Sequence, residues 1–208
     1  MNGYNEEDRP VALVVLAHHR SDSLTASMAE RAANRLEGDG YRVDLLNLHA
    51  EGFDPRNSVA DEPDYGDRDK TYSAEVHRHI RRVHAAEVIV VVFPVWWFGL
   101  PALLKGWFDR VWNYGLAYGR SRSPMEGKRM LWLALAGLTA RDPNADLVAS
   151  VLEGPLRRGV SEYCGISETH AAVLYDSEGQ DLSGEARAEH FRGLVTGADE
   201  AVDKLLAG

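Results

Sequence analysis

Short runs that are largely apolar alternate along the chain with longer stretches whose apolar residues recur every three or four positions. Residues 11–17 and 87–93 form the strongest runs, and residues 41–48, 129–136 and 169–175 form three more. An apolar run without polar alternation indicates a strand that helices cover on both faces. The pattern therefore predicts five strands, with the first and third in the middle of a sheet.

An amphipathic segment follows each strand, so the chain repeats a strand and a helix five times. Helices are predicted for residues 21–37, 72–85, 99–112, 147–158 and 185–206. Right-handed crossovers then give an α/β fold, a doubly wound five-stranded parallel sheet of order 2-1-3-4-5 with helices on both faces. No repeat or linker divides the chain, so residues 1–208 are expected to form a single domain.

Composition limits which kinds of ligand and partner the protein is expected to bind. The 208 residues carry a formal net charge of −9, which opposes nucleic-acid binding because that requires a basic face. The one cysteine, Cys164, cannot form an internal disulfide. The longest apolar stretch is interrupted by Pro94 and Gly99, which opposes membrane insertion, and the acidic N-terminus is unlike a signal peptide. We therefore expect a cytoplasmic protein with a small-molecule ligand.

The ligand of such a sheet is expected beyond the carboxyl ends of the strands, where the strand order reverses. Residues 18–25, after the first strand, contain no glycine, which excludes a P-loop and a G-x-G-x-x-G turn. They place Ser21, Ser23 and Thr25 at the start of a helix, where free N–H groups accept an anion such as phosphate. The alternative is that Ser21 or Asp22 only caps the helix.

Three large aromatic residues, Trp96, Trp97 and Phe98, follow the third strand directly. Side chains at a strand end and in a turn point in several directions, so the three rings cannot all enter the core. We interpret this loop as a platform for a planar ligand. The aromatic residues within residues 99–112 have helical spacing instead, which is typical of a core or a dimer interface.

Two of these segments resemble those of a known family. Residues 93–112 closely resemble the loop and helix of NAD(P)H:quinone oxidoreductases of the flavodoxin-like fold, and residues 15–28 resemble their phosphate loop. Residues 114–118 resemble the family's segment beside the flavin. The resemblance implies a flavoprotein that takes a hydride from NAD(P)H and passes it, by a ping-pong mechanism, to a quinone or a related aromatic acceptor.

The resemblance also implies which residues contact the cofactor. From the phosphate end to the pyrimidine edge of the flavin, these are His18, Ser23, Leu24, Thr25, Pro94, Val95, Trp96, Trp97, Phe98, Leu135, Ala136 and Gly137. Trp97, Phe98 and Tyr118 are the candidates for substrate-binding walls. The closest motif resemblance is to members that use FAD, which favours FAD; the loop of residues 51–71 is shorter than theirs and leaves less chain to cover an adenine, so FMN stays open.

The chain departs from the family at three places. Trp96 stands where mammalian members carry an amide side chain. Leu135 and Ala136 replace hydroxyl residues, so backbone N–H groups must supply most contacts at the pyrimidine edge. The tyrosine and histidine that relay a proton in mammalian members match Asp142 and Val148, which cannot do so. No catalytic residue is therefore carried over.

The resemblance also implies an assembly. It implies a homodimer with active sites at the interface, formed by residues 99–112 and 113–127. A second function class is a flavoprotein regulatory subunit of a potassium efflux antiporter, and a third is an electron-transfer flavodoxin, which the aromatic loop opposes. No metal site is expected, because only His77 and His84 of the histidines at 77, 79 and 84 share a helix face, about two turns apart.

Overall fold

Five parallel strands form one sheet in the order β2-β1-β3-β4-β5 in the computed structural model, which describes residues 8–208. The strands are Val11–Leu16 (β1), Arg42–Asn47 (β2), Val88–Pro94 (β3), Arg129–Leu135 (β4) and Glu168–Leu174 (β5). Every residue of β3 is buried, as expected for a strand covered on both faces. The predicted sheet and its strand order are confirmed. Residues 1–7, which include most of the segment compared above with a signal peptide, lie outside the described residues.

Helices cover both faces of this sheet. They are Leu24–Gly38 (α1), Ala74–Ala85 (α2), Ala102–Val111 (α3), Ala145–Val151 (α4) and Gly184–Ala207 (α5). α1 and α5 share one core with the sheet, and α2, α3 and α4 share the other. No helix within residues 8–208 is long and apolar enough to cross a bilayer.

The aromatic side chains of α3 lie in the second core. Trp107, Phe108 and Trp112 are each at most 6% exposed, and the ring of Phe108 lies 5.0 Å from that of Trp132 in β4. Of the two alternatives for these rings, a core or a dimer interface, the structure therefore supports the core. The aromatic dimer surface expected on this helix is absent, because contacts within the chain already bury these rings.

The fourth predicted helix differs from its pattern. α4 begins at Ala145 and continues directly into a π-helix, Leu152–Glu162, which contains Pro155. The buried residues Leu156 and Ser161 are five positions apart, a spacing that a search for a 3.6-residue period does not detect. Ser161 accepts a hydrogen bond from the indole N–H of Trp132 at 2.9 Å, which fixes the π-helix to the sheet.

The loop between β2 and α2 is anchored by a buried ion pair. Asp61 lies in the charge run of residues 61–70, which the sequence suggests is solvated, but its side chain is fully buried. It accepts hydrogen bonds from Arg110 of α3 at 2.7 Å and from the N–H of Ser73 at 2.8 Å. Arg110 falls outside the apolar face of the predicted helix, so hydropathy alone indicates an exposed side chain. A helical pattern cannot show that a distant loop supplies its carboxylate partner.

Candidate functional site

β1 and β3 end side by side, which brings the two principal candidate segments together. The N–H of Ala17, just after β1, donates to the carbonyl of Val92 in β3 at 3.1 Å. Beyond this bond the His18 and Trp96 rings lie 6.0 Å apart, and those of His19 and Trp96 lie 5.8 Å apart. The expected phosphate end and aromatic loop are therefore neighbours at the point where the strand order reverses.

The start of α1 presents free backbone donors. Ser23 is the N-cap, and its hydroxyl oxygen accepts from the N–H of Ala26 at 3.1 Å, so the helix begins later than predicted and neither Ser21 nor Asp22 caps it. Among residues 8–208, the N–H groups of Leu24 and Thr25 have no acceptor. Free N–H groups at a helix N-terminus bind anions, so this end of α1 fits a phosphate.

Charges beside this helix start are arranged so that they do not repel an anion strongly. Arg20 donates two hydrogen bonds of 2.9 Å to the Asp22 carboxylate, and this interaction lowers the pKa of Asp22. The N–H of Arg20 donates to Nδ1 of His18 at 3.1 Å, and burial lowers the pKa of His18. The carbonyl of Arg20 also lies 3.2 Å from this Nδ1, so both backbone groups of Arg20 hold the His18 ring beside the start of α1.

Trp97 and Phe98 occupy a strained turn. Trp96 and Gly99 exchange backbone hydrogen bonds of 3.2 and 3.0 Å across it, and the two residues between them have φ of 50° and 59°. Positive φ at both central positions defines a turn that normally carries Asn-Gly, and two bulky residues there each cost about 1–3 kcal/mol. Strain of this kind occurs at functional sites, and no sequence pattern predicted it.

The side chains of Trp97 and Phe98 and their backbone N–H groups are all accessible at this turn. The Trp97 side chain is 98% exposed, and that of Phe98 is exposed as well, which excludes a core role for either ring. Within the described part of the chain their N–H groups have no hydrogen-bond acceptor, whereas the N–H of Trp96 is engaged by Gly99. Two free donors beside exposed rings fit the heteroatom edge of a flat heterocycle such as a flavin.

The third segment matches its expected role only in part. Leu135 and Ala136 are buried, and the N–H of Ala136 donates to the carbonyl of Leu174 at 2.9 Å. That N–H is therefore engaged within the sheet, because the pairing of β4 with β5 extends one residue beyond the strands. Gly137 is the exposed member, and the carboxylate of Glu178 lies beside it. Pro94 is buried and the N–H of Val95 donates to Leu135, which aligns the β3 and β4 segments.

A cavity with a volume of about 280 Å³ lies between α3 and the π-helix. Phe108, Trp112 and Leu156 contribute apolar lining, and the rings of Tyr118 and Tyr163 lie 5.6 Å apart beside it. Sequence reasoning missed Tyr163, because it follows a π-helix that the apolar pattern did not indicate. Cys164 also lines the cavity, and burial raises the pKa of its thiol to about 12, as expected for an unreactive cysteine.

The three proposed substrate walls do not meet in this cavity. Tyr118 lines it, whereas Trp97 and Phe98 lie on the exposed turn outside its lining. Leu100, two residues after Phe98, connects the turn to the cavity rim. Within one chain, the rings of Trp97, Phe98 and Tyr118 therefore do not line a common pocket. A further protein surface would be needed to join them.

The histidines of α2 have separate structural partners. His79 accepts from the indole N–H of Trp107 at 3.3 Å, a ring nitrogen of His84 lies 2.9 Å from the Leu116 carbonyl, and His77 accepts from the N–H of Tyr72 at 3.2 Å. Among the residues that the structure covers, no three His, Cys, Asp or Glu side chains are placed to hold a metal ion.

Comparison with known proteins identifies the family. A family model described as a flavodoxin-like fold matches residues 11–196. The chain belongs to this family. An uncharacterized NAD(P)H oxidoreductase of Escherichia coli is 34% identical over 92% of this chain and 96% of its own length. NAD(P)H dehydrogenase [quinone] 1 of Rattus norvegicus is 28% identical over 79% of this chain and 68% of its own length. The expected kinship with NAD(P)H:quinone oxidoreductases is thereby confirmed.

Solved structures share the fold. A protein described as a putative quinone reductase from Klebsiella pneumoniae superposes with a TM-score of 0.78 at 23% identity, over 94% of this chain and 85% of that one. General stress protein 14 of Treponema denticola, solved in complex with FMN, has a TM-score of 0.66 at 23% identity, over 94% and 99% of the two chains.

Proposed function

We propose that this chain is a flavin-dependent enzyme that transfers a hydride from NAD(P)H to a quinone or a related aromatic acceptor by a ping-pong mechanism. The observation that carries the proposal is the strained Trp97–Phe98 turn, whose two N–H groups have no acceptor among residues 8–208. The turn directly follows Trp96, whose ring lies 6.0 Å from that of His18. The relatives named above are oxidoreductases, which supports an enzyme rather than an antiporter subunit.

In this proposal each segment has a separate task. The N–H groups of Leu24 and Thr25, with the cap Ser23 and with His18, bind the cofactor's phosphate. The N–H groups of Trp97 and Phe98 hold the flavin edge, and the exposed Trp97 ring orients the flat donor and acceptor in turn. Bound flavin would supply the chemistry by accepting a hydride and releasing it, so the protein needs no side chain that reacts covalently.

Whether the flavin is FMN or FAD depends on whether the loop of residues 51–71 can cover an adenine. Pro55 of this loop packs directly on Gly106 of α3, and the carbonyl of Arg68 packs on Gly115, so the loop is docked against α3 and the segment after it. This docking and the FMN complex of the Treponema relative favour FMN, whereas the motif resemblance favours FAD.

We expect the purified protein to be yellow and to release a flavin on heating, whose mass distinguishes FMN from FAD. The reason is that four free backbone donors at two adjacent segments match a phosphate and a heterocycle edge. Protein that stays colourless after incubation with both flavins would reject the proposal.

We propose that the active enzyme is a homodimer in which a second copy completes the substrate site. Support comes from the separation of Tyr118 from the Trp97 turn within one chain, and from the exposed ring of Tyr163 beside the open cavity. A closed two-fold contact would bring the cavity of one copy to the turn of the other.

Light scattering at micromolar concentration should therefore give twice the mass of the chain. Tyr163→Glu is expected to dissociate the dimer and remove activity together, because Tyr163 is 68% exposed and its replacement leaves the core intact. Trp112 is unsuitable for this test, because a charge at that buried position would unfold the second core. A fully active monomer would contradict the proposal.

A further inference from the structure

The flavin site proposed above still needs a hydrogen-bond acceptor. The pyrimidine end of a flavin carries one N–H group, N3–H, between two carbonyl oxygens. The free N–H groups of Trp97 and Phe98 can donate to oxygens and ring nitrogens, but they cannot accept from N3–H. The site is therefore complete only if an acceptor lies where the pyrimidine end is held.

The loops that follow β3, β4 and β5 lie side by side at the carboxyl edge of the sheet. The N–H of Val95 donates to the carbonyl of Leu135 at 2.8 Å, and the N–H of Ser177 donates to the carbonyl of Ala136 at 3.0 Å. Neighbouring strands are about 4.8 Å apart, so a flat three-ring heterocycle on the Trp97–Phe98 turn reaches across the β4 loop toward the β5 loop. An acceptor for N3–H is expected on one of these two loops.

The β4 loop has few backbone acceptors to offer. The carbonyls on both sides of Gly137 are engaged, since that of Ala136 accepts from Ser177 and that of Leu138 accepts from the N–H of Asp176 at 2.8 Å. The carbonyl of Gly137 itself has no donor among residues 8–208. It is therefore one of two candidates.

Glu178 of the β5 loop is the other candidate, and it is charged. Its Oε2 accepts from the side-chain amide of Gln180, whereas Oε1 has no donor in the part of the chain that the structure describes. A Cβ on Gly137 would lie 3.2 Å from Oε1 and 3.4 Å from the carboxyl carbon. Oε1 therefore faces the gap that the missing side chain of Gly137 leaves open at the exposed edge.

A strained turn holds Glu178 in this place. Asp176 has a φ of 53°, which is unfavourable for a residue other than glycine. Its carbonyl accepts from the N–H of Gly179 at 3.1 Å and lies 2.8 Å from a ring nitrogen of His190 in α5. Arg187 of α5 donates to the carbonyl of Gly179. Two side chains of α5 thus fix the turn, and strain that the surrounding structure maintains in this way occurs at functional sites.

We propose that Oε1 of Glu178 accepts a hydrogen bond from N3–H of the bound flavin. The inference rests on the proposed function and adds a cofactor-binding residue to it. The contact selects a ring that carries an N–H at this position. The carboxylate also places a negative charge beside a ring that becomes more negative on reduction, so it lowers the reduction potential of the flavin.

Flavins with and without this N–H group test the contact. FMN and 3-methyl-FMN differ only at N3, and titration of the flavin-free protein gives both dissociation constants. The wild type should bind FMN about 10- to 100-fold more tightly than 3-methyl-FMN, the range for a hydrogen bond to a charged group. Glu178→Ala should bind the two flavins nearly equally, because the acceptor is gone and the methyl group has room.

The reduction potential of the bound flavin provides a readout separate from turnover. Glu178→Gln keeps the size of the side chain and removes its charge. Reduced FMN should therefore gain affinity relative to oxidised FMN on the order of 10-fold, which raises the potential of the two-electron couple by about 30 mV. Titration against a redox dye measures this change.

Asp181 provides the matched controls, because its exposed carboxylate lies in the same loop but is not among the atoms nearest Gly137. Asp181→Ala should keep the preference for FMN, and Asp181→Asn should keep the wild-type potential. Equal binding of both flavins by the wild type, or an unchanged potential in Glu178→Gln, would overturn the inference.

A preference for FMN that persists in Glu178→Ala would also overturn the inference, because N3–H would then be assigned to the carbonyl of Gly137. The proposed function would stand after any of these results. A wild-type protein that binds neither flavin would instead reject the proposed function itself.

Discussion

Replacing Trp97 with alanine should lower NAD(P)H-dependent quinone turnover on the order of 10²-fold, while flavin binding weakens by only about 0.5–1.5 kcal/mol. The substitution removes the exposed ring that we propose orients donor and acceptor, but it keeps the backbone N–H of residue 97 and the donors at the start of α1. Small displacements of reacting atoms are costly in rate, whereas one lost aromatic contact is not. Steady-state kinetics and a flavin titration measure the two effects separately.

Trp97→Gly is the control for backbone strain. Glycine tolerates the φ of 50° at this position, so this variant should be about 1–2 kcal/mol more stable than Trp97→Ala. Both variants lack the ring and should show the same loss of turnover. If turnover instead followed stability, or stayed at the wild-type level in both, the ring of Trp97 would have no orienting role.

Replacing Arg110 with alanine should destabilise the protein by about 3–5 kcal/mol, because it leaves the buried Asp61 carboxylate without its partner. The loop of residues 51–71 would lose its anchor on α3 at the same time. Urea denaturation of the apo-protein measures the change in the free energy of unfolding. The double variant Arg110→Met, Asp61→Leu should lose much less, because no unpaired charge is then buried.

The pH dependence of stability gives a second test of this ion pair. Burial of Asp61 opposes its ionisation, but hydrogen bonds from Arg110 and Ser73 outweigh that effect and lower its pKa in the folded protein. A lowered folded pKa contributes stability above the ordinary aspartate pKa, and this contribution is lost as pH falls through the folded value. The wild type should therefore lose stability in acid, and the double variant should lose less of it. Equal slopes in the two proteins would show that Asp61 titrates alike in both states.

The sequence predicted the parts of this protein that depend on hydrophobic pattern. Continuous apolar runs such as β3 predicted buried parallel strands. The order of strands and helices predicted that a ligand binds beyond the carboxyl ends of β1 and β3. The exposed Trp96–Phe98 loop followed from the same reasoning, since three large rings cannot all enter a core from a turn.

The remaining features depend on contacts between distant segments. The Asp61–Arg110 pair joins a loop and a helix 49 residues apart, and the bond between Ala136 and Leu174 extends a strand pairing beyond its apolar run. The positive φ angles of Trp97 and Phe98 contradict local preference, so no propensity could indicate them. Such violations of local preference occur where a site requires them, and this one is the main structural support for the proposed flavin site.

Anaerobic mixing of the flavin-loaded protein with its two substrates in turn tests the central claim most directly. The visible absorbance should fall when NAD(P)H is added alone and should return when a quinone is added afterwards, because in the proposed ping-pong mechanism each substrate leaves before the other binds. The Trp97→Ala protein should show both changes at much lower rates. A loaded protein whose absorbance does not respond to NADH or NADPH, or does not return with any quinone, would contradict the account.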